Sequence, residues 1–444
     1  MKRFLLGKSG KALSQSYIWY SLSGVLNAGQ SALLLIVLSR TNSTEDAGVF
    51  AIAYAIACLA LSVGNYGVRG YQVTDVSEKV SFGSFLKARL FSDGLMVIIL
   101  FFYMLRGRFL FAYSFRKCLV ILLLGLLKTI DSIEDVFHGM YQQKGRLDIA
   151  GRCMTIRYVS YLVSFSVALV LTHDLAVSAG VALIVNATVF IYSISQTYDE
   201  VRLNGKIEYE DGIECKGILR EVLFLIRSDS NQMQKVLREC SSLCVGGFLT
   251  MYVANAPKYA IDGACSEIQQ ACFNYIFMPV YVINVLNSFV FQPIINRMAI
   301  SYERHDKKKF DMYFRRQILL IGGLIALVLL AGYILGIPVL GWLYSVDLIE
   351  YKKSFMILLI GSAFLAIQGF LAALITMMRK QIYLLLGYGC SAAVAFFASG
   401  RIVISFGVIG EAYLYCVMMA IQAIVFGLIY FIFSRGLEWD KISV

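Results

Sequence analysis

The sequence predicts an all-α protein that crosses a membrane about twelve times. Hydrophobic residues make up 59% of the 444 residues and charged residues only 16%, a composition that excludes a soluble globular protein. The apolar residues are grouped in segments of roughly 20 residues, the length at which a helix crosses the hydrocarbon core. Short polar connections separate these segments, so we expect the chain to pass back and forth through one bilayer.

The apolar segments divide into two sets of six. The predicted spans are residues 16–38, 47–66, 83–104, 118–140, 149–171, 175–197, 239–256, 271–293, 317–337, 353–377, 381–403 and 410–433. The one long polar break, residues 199–217, separates the sixth span from the seventh, and residues 218–238 are too polar to span and suit a surface helix. We therefore predict a six-helix lobe over 1–198, a cytoplasmic linker with a surface helix over 199–238, and a second six-helix lobe over 239–444.

The distribution of charge predicts the orientation. The chain has 40 Lys and Arg against 29 Asp and Glu, a net charge of +11. Thirty of the 40 basic residues lie on the side of the N-terminus, nine lie on the other side, and Lys128 is within a span. The positive-inside rule places both termini in the cytoplasm, so the excess charge reflects topology rather than binding to nucleic acid.

No pattern of a catalytic or metal site is present in the sequence. The ten cysteines are scattered without a Cys-x-x-Cys pair, and three histidines are too few for an ordinary histidine metal site. A Walker A loop, Gly-x-Ser-x-Gly and His-Glu-x-x-His are all absent from the sequence. Every predicted outer loop is short, which leaves no room for a large external catalytic domain. We expect neither a cofactor nor enzymatic activity.

The fourth span carries a charged stripe. Lys128, Asp131, Asp135 and His138 follow each other at offsets that place them within an arc of roughly 80° on a helix, and Glu134 borders that arc. Ionisable groups at membrane depth normally face a bundle interior or a wet cavity. The alternative is a helix that ends early, with its charges already in the cytoplasm. We favour the cavity because the opposite face stays apolar.

Further polar residues lie within or beside the other spans. The basic candidates for binding an anion are Arg40, Arg69, Arg89, Lys128, Arg152, Arg157 and Lys258. The amide and tyrosine candidates for binding a sugar are Asn255, Asn274, Tyr275, Asn284 and Asn287. Asp93 follows Arg89 by four residues, a spacing that permits an ion pair. For any one of these side chains, anchoring at a helix end is the alternative to a role in binding.

Several short motifs occur in an order typical of one transporter family. They are Val-Leu-Ser-Arg (37–40), Ala-Gly-Val-Phe-Ala-Ile-Ala-Tyr-Ala-Ile (47–56), Gly-Val-Arg-Gly-Tyr-Gln-Val-Thr-Asp (67–75), Tyr-Gln-Gln-Lys-Gly-Arg-Leu-Asp-Ile-Ala-Gly-Arg (141–152), Asn-Ala-Pro-Lys-Tyr-Ala-Ile-Asp (255–262) and Tyr-Phe-Arg-Arg-Gln (313–317). With these motifs the chain resembles bacterial polysaccharide flippases. Those proteins are the O-antigen and capsule oligosaccharide transporters of the multidrug/oligosaccharidyl-lipid/polysaccharide (MOP) superfamily.

This resemblance implies two six-helix lobes that form a V around a central cationic cavity. It also implies that an undecaprenyl-diphosphate-linked oligosaccharide is moved from the inner to the outer leaflet for surface polysaccharide synthesis, with polysaccharide polymerase machinery as a partner. Arginine suits a diphosphate, and amides and tyrosines suit sugars.

The carboxylates of the stripe do not suit a diphosphate. We expect Asp131 and Asp135, with Asp93 and His138, to form ion pairs or to carry a coupling proton or sodium ion. We favour a structural pair with Lys128 for Asp131 and a coupling role for Asp135. The competing function is a cation-coupled antiporter of drugs or organic cations with the same fold, which would need a net acidic cavity.

Overall fold

The computed structural model describes residues 2–7, 12–75, 77–203 and 230–435, and within these ranges the chain is helical with no β-strand. This confirms the predicted fold class. Helices are the expected solution for such a sequence, because a backbone in hydrocarbon has to satisfy its N–H and C=O groups internally.

Fourteen α-helices are found in the described residues. In order, they are α1 (Lys2–Leu6), α2 (Ala12–Thr41), α3 (Thr44–Asn65), α4 (Val68–Thr74), α5 (Phe82–Leu110), α6 (Phe115–Gln143), α7 (Leu147–Thr172), α8 (Leu175–Leu203), α9 (Ser230–Ala264), α10 (Glu267–Glu303), α11 (Lys307–Ala331), α12 (Ile337–Tyr344), α13 (Lys352–Met377) and α14 (Leu384–Arg435). A π-helical turn, Gly332–Gly336, joins α11 to α12.

Each of the twelve predicted spans coincides with a long helical segment. The last two spans share α14, which is interrupted at Gly407, where φ is 57° and ψ is −143°, a conformation that glycine alone adopts readily. Eight helical segments of the described chain are long and apolar enough to cross a membrane, and nine of the predicted spans correspond to them. The other three spans lie in α6, α9 and α10, whose polar residues lower their hydropathy.

The chain forms two compact units, Met1–Phe248 and Leu249–Val444, which we call unit 1 and unit 2. The first half of α9 belongs to unit 1, because Val236 and Cys240 lie in the same apolar cluster as Val136 and Tyr198. Of the surface helix predicted over 218–238, the last nine residues are instead the first turns of α9. The rest of that prediction lies outside the described residues.

Three helices of unit 1 begin at serine caps. Ser43, Ser81 and Ser114 precede α3, α5 and α6, and each side chain accepts a hydrogen bond from a backbone N–H of the first turn. Between α3 and α4, Tyr66 and Gly67 both have positive φ, 47° and 73°. This left-handed pair turns the chain so that α4 packs against α6.

The core of unit 2 is aromatic. Tyr275 of α10 stacks on Tyr344 of α12 with ring centroids 4.1 Å apart, and Phe277 meets the edge of Tyr415 of α14 at 4.9 Å. A side chain at Gly361 of α13 would lie 2.8 Å from the Tyr415 ring, so this glycine lets α13 and α14 approach closely. Within this unit, α10, α12, α13 and α14 therefore share a packed interior.

Candidate functional site

The charged stripe of α6 is buried inside unit 1. The helix continues to Gln143, and the side chains of Lys128, Glu134 and His138 are at most 7% exposed. The expectation of a cavity or bundle interior therefore agrees with the structure better than the alternative of an early helix end. Because buried charges need partners, the neighbouring helices have to supply them.

Arg157 of α7 is the centre of the first cluster. Its Nε donates to Glu134 Oε2 at 2.6 Å. Its Nη1 donates to Asp131 Oδ1 at 2.5 Å and to Asn186 Oδ1 of α8 at 3.0 Å. The guanidinium is 1% exposed. One arginine thus joins α6, α7 and α8 through charge-assisted hydrogen bonds, the strongest kind that side chains form.

Lys128 completes this cluster. Its Nζ donates to the second oxygen of Asp131 at 2.8 Å and lies 4.9 Å from the centre of the Tyr54 ring of α3. The structural pairing predicted for these two residues is present in the geometry. A small pocket beside them is lined by Gln30, Tyr54, Leu124, Leu127, Lys128, Asp131, Tyr161 and Asn186.

His138 does not meet the aspartates of the stripe as we expected. Its Nε2 lies 3.6 Å from Glu134 Oε1, which is too long for a hydrogen bond, and neither atom has another hydrogen-bond partner. The ring is 2% exposed. The His138 ring is therefore enclosed by protein, beside Glu134 of the Arg157 cluster.

Asp135 is the centre of a second cluster. Arg69 of α4 donates to Asp135 Oδ1 and Arg89 of α5 donates to Oδ2, both at 2.9 Å. Arg69 also donates to Tyr20 at 3.3 Å and to Gln142 at 3.0 Å. Arg69 and Asp135 are 18% and 24% exposed, whereas Arg89 is fully buried. This cluster is therefore the more exposed of the two.

Arg89 is fixed by the end of α3. Its Nη1 donates to the carbonyl oxygen of Gly64 at 2.8 Å and to Asn65 Oδ1 at 3.2 Å. Gly64 makes this close approach feasible, since a Cβ there would lie 2.8 Å from Asp93 Oδ1. The ion pair between Arg89 and Asp93 that the spacing permits is not formed, because Arg89 reaches across to Asp135 instead. Asp93 remains buried at 4% exposure.

The two clusters carry more basic than acidic residues. They contain Arg69, Arg89, Lys128 and Arg157 with three carboxylates, those of Asp131, Glu134 and Asp135. Asp93, which forms no ion pair with Arg89, belongs to neither cluster. The cationic central cavity that the family resemblance implies stays a prediction.

Other predicted site residues lie apart from these clusters. Arg152 donates to the Phe4 carbonyl at 2.6 Å and to the Gln15 side chain, and so fastens the N-terminal segment to α7. Arg40 is exposed near the end of α2. The expected roles of Arg152 and Arg40 in binding a diphosphate stay predictions.

Unit 2 contains a smaller polar group. Lys258 Nζ donates to the Tyr281 hydroxyl at 3.1 Å, and this hydroxyl donates to Asn255 Oδ1 at 3.0 Å. Lys258 also lies 5.2 Å from the Phe277 ring centre. Asn274, by contrast, is buried and donates to the Gln270 carbonyl of its own helix at 2.8 Å.

The remaining sugar candidates are Tyr275, Asn284 and Asn287 of α10. Tyr275 is buried in the stack with Tyr344. Asn284 and Asn287 lie in α10, but their side chains are outside the described part of the structure. Their roles in binding a sugar stay predictions.

Two residues of these sites were not predicted as site residues from the sequence. Glu134 was placed at the border of the stripe, although it is a main partner of Arg157. Asn186 is an isolated amide in the sixth span. A lone polar residue in an otherwise apolar span was the signal that could have found Asn186.

Comparison with known structures defines the fold of the chain. The alignment with an inward-facing multidrug resistance MATE family transporter of the MOP superfamily covers 94% of this chain and 96% of that one, with a TM-score of 0.65 and 12% identity. A MOP superfamily transporter from Pyrococcus furiosus gives a TM-score of 0.55 at 13% identity over 98% of this chain and 97% of that one. The protein is thus a multi-pass membrane protein with a MOP-type fold.

Comparison of sequences defines the family. Residues 13–298 match the family described as "Polysaccharide biosynthesis protein", and the chain belongs to that family. The capsular polysaccharide biosynthesis protein CapF of Staphylococcus aureus is 24% identical over 200 residues, which are 45% of this chain and 48% of CapF. The match spans about half the length of that relative. The predicted family resemblance is confirmed.

Proposed function

We propose that the protein is a flippase that moves an undecaprenyl-diphosphate-linked oligosaccharide from the inner to the outer leaflet of the bacterial cytoplasmic membrane for surface polysaccharide synthesis. Membership of the polysaccharide biosynthesis family and the MOP-type fold support a transporter in this pathway. The observation that carries the proposal for the substrate is the pair of arginines on Asp135.

The Asp135 carboxylate occupies the position that a phosphate of the substrate would take. Arg69 and Arg89 each donate to a different oxygen of one anion, the arrangement in which guanidinium groups also bind phosphate. Since Arg69 and Asp135 are partly exposed, an incoming diphosphate can reach them and displace the carboxylate. Asp135 thereby keeps the arginines paired while the substrate is absent, which limits the cost of burying their charge.

Neutral groups around Arg69 suit the first sugar. The Tyr20 hydroxyl and the Gln142 amide both contact its guanidinium and can exchange hydrogen bonds with a carbohydrate. The lipid chain needs no polar partner and stays in the bilayer. In unit 2, the Lys258, Tyr281 and Asn255 group offers the same combination of one cation and two neutral hydrogen-bonding groups.

Alternating access would move this headgroup across the membrane, with both termini on the cytoplasmic side. The asymmetry of Lys and Arg supports that orientation. Transport of an organic cation is the second candidate function, because Asp131, Glu134 and Asp135 place three carboxylates on α6 in the same clusters.

The test is purified protein in liposomes that contain a lipid-linked oligosaccharide in both leaflets. A membrane-impermeant glycosidase reports how fast the inner pool becomes accessible. We expect the wild-type protein to make this pool accessible and Arg69→Gln to slow the process at least about tenfold, since a charge-assisted hydrogen bond contributes roughly 1.5–3 kcal/mol. Arg401→Gln, which removes an exposed arginine of α14, is the control and should behave as wild type.

Two results would contradict the proposal. One is a wild-type protein that leaves the inner pool protected but exchanges tetraphenylphosphonium, which would favour the organic-cation antiporter. The other is an Arg69→Gln variant with wild-type flipping, which would remove the diphosphate role of Arg69.

A further inference from the structure

Glu411 is a buried carboxylate in unit 2 that has no role in the proposed binding of the substrate. It lies in α14, four residues after the break at Gly407, and it is 0% exposed. The next turn of the same helix carries Tyr415, which packs in the aromatic core of the unit. Glu411 is therefore enclosed by protein rather than turned to lipid or water.

Neither oxygen of this carboxylate accepts or donates a hydrogen bond. The titratable side chains that face it are Tyr252 and Cys265 of α9, and neither is a cation. Of α13, which packs against α14, the charged residues are Lys352 and Lys353 in the first turn. Lys352 lies over the Tyr333 ring instead, and no ion pair to Glu411 occurs among the described residues.

This environment differs from that of the other buried glutamate. Glu134 is 1% exposed and faces the guanidinium of Arg157 at 2.6 Å, so its negative charge is compensated. A charged carboxylate at Glu411 would have no such compensation, and an isolated ion in an apolar interior is strongly disfavoured. The neutral acid, which keeps its proton, is the form compatible with this packing.

We propose that Glu411 is a proton-binding site of the transporter, occupied in the present conformation and emptied when the transport cycle exposes it to water. The inference rests on the transport function proposed above but not on the identity of the substrate. A proton suits the site better than sodium, because a metal ion needs several oxygen ligands. Groups of metal-binding side chains are absent from the described residues.

The break at Gly407 supports a change of exposure at this position. The backbone has non-helical φ and ψ at Gly407, one turn before Glu411, and a Cβ on Gly410 would lie 3.0 Å from the carbonyl oxygen of Ile402. The two parts of α14 thus meet at glycines, where the backbone can adjust without moving a side chain. Movement of one part against the other would uncover Glu411.

The first test reads the proton directly and needs no substrate. Infrared difference spectra of purified wild type against Glu411→Gln, in lipid at neutral pH, report the C=O stretch of a protonated carboxylic acid. We expect the wild type to show this band and Glu411→Gln to lose it, whereas the matched variant Glu134→Gln retains it. Equal bands in wild type and Glu411→Gln would overturn the proposal.

The second test is transport in liposomes with a pH gradient. We expect the gradient to accelerate wild-type turnover and the acceleration to fall at least tenfold in Glu411→Gln. A variant that responds to the gradient as the wild type does would overturn the coupling role. If the infrared band is present but no lipid-linked oligosaccharide moves, the proton site stands and the proposed substrate fails.

Discussion

Two buried glutamates, one in each unit, have opposite surroundings. In unit 1, Glu134 accepts a hydrogen bond from the buried Arg157 at 2.6 Å, and Asp131 pairs with the same guanidinium. In unit 2, the carboxylate of Glu411 is equally buried but makes no hydrogen bond. The first glutamate helps to hold helices together, and we propose that the second binds and releases a proton during transport.

A paired buried charge and an unpaired buried acid have different energetic consequences. Removing one partner from a buried pair leaves the other uncompensated and is strongly destabilising. Replacing a neutral carboxylic acid by an amide has little effect on stability when the acid makes no hydrogen bond. The comparison therefore predicts large losses of stability in unit 1 and small ones at Glu411.

The largest effect is expected from Arg157→Met. The substitution keeps an unbranched side chain of similar length but leaves Asp131 and Glu134 without their shared cation. Breaking a buried pair in this way costs about 3–5 kcal/mol. Thermal unfolding of the purified protein in detergent should show a large fall in the midpoint, and the yield of folded protein should fall with it.

The double variant Arg157→Met with Glu134→Gln is the control for that experiment. Because it removes one of the stranded carboxylates, we expect it to recover part of the lost stability. A wild-type unfolding midpoint in the single variant would mean that water reaches the cluster, and the comparison between the units would no longer hold.

A smaller effect is expected from Asp135→Asn. The carboxylate is 24% exposed, so solvent screens the lost interaction with Arg69 and Arg89, and a decrease of about 1–2 kcal/mol is expected. If Asp135 occupies the place of a phosphate, the variant should bind inorganic diphosphate several-fold more tightly than the wild type in calorimetric titration. An unchanged affinity would contradict the displacement of Asp135 by the substrate.

The same variant tests our earlier expectation that Asp135 carries the coupling ion. That hypothesis predicts normal folding with loss of gradient-driven transport in Asp135→Asn. The hypothesis that assigns the proton to Glu411 predicts that the response to a pH gradient persists in Asp135→Asn. The two variants measured in one series of liposomes therefore separate the two carboxylates.

The sequence was sufficient for the fold because membrane helices are encoded locally. A run of apolar residues of spanning length has no alternative in a bilayer, and all twelve spans coincide with helices. The pairing of Lys128 with Asp131 was also predictable, since residues three apart share a helix face.

The pairing between helices was not predictable from spacing. Arg89 has Asp93 one turn away on its own helix but pairs with Asp135 of α6, because the turn at Tyr66 and Gly67 and the close approach at Gly64 bring α3, α4, α5 and α6 together. Such a choice depends on helix packing, which a single sequence does not specify. The same limitation concealed Glu411, whose significance lies in the absence of a partner.

The smallest effect is expected from Glu411→Gln, measured beside Glu134→Gln. The two substitutions make the same chemical change at two buried glutamates, one in each unit. Glu134→Gln removes the negative charge that accepts a hydrogen bond from Arg157, so we expect the free energy of unfolding to fall by about 1.5–3 kcal/mol. Glu411→Gln replaces a neutral acid by a neutral amide of similar shape, and the free energy of unfolding should change by less than about 1 kcal/mol. Thermal unfolding of both variants in one detergent checks this order. A Glu411→Gln variant as unstable as Glu134→Gln would show that Glu411 is charged and paired in the folded protein, and the contrast between the units would then be lost.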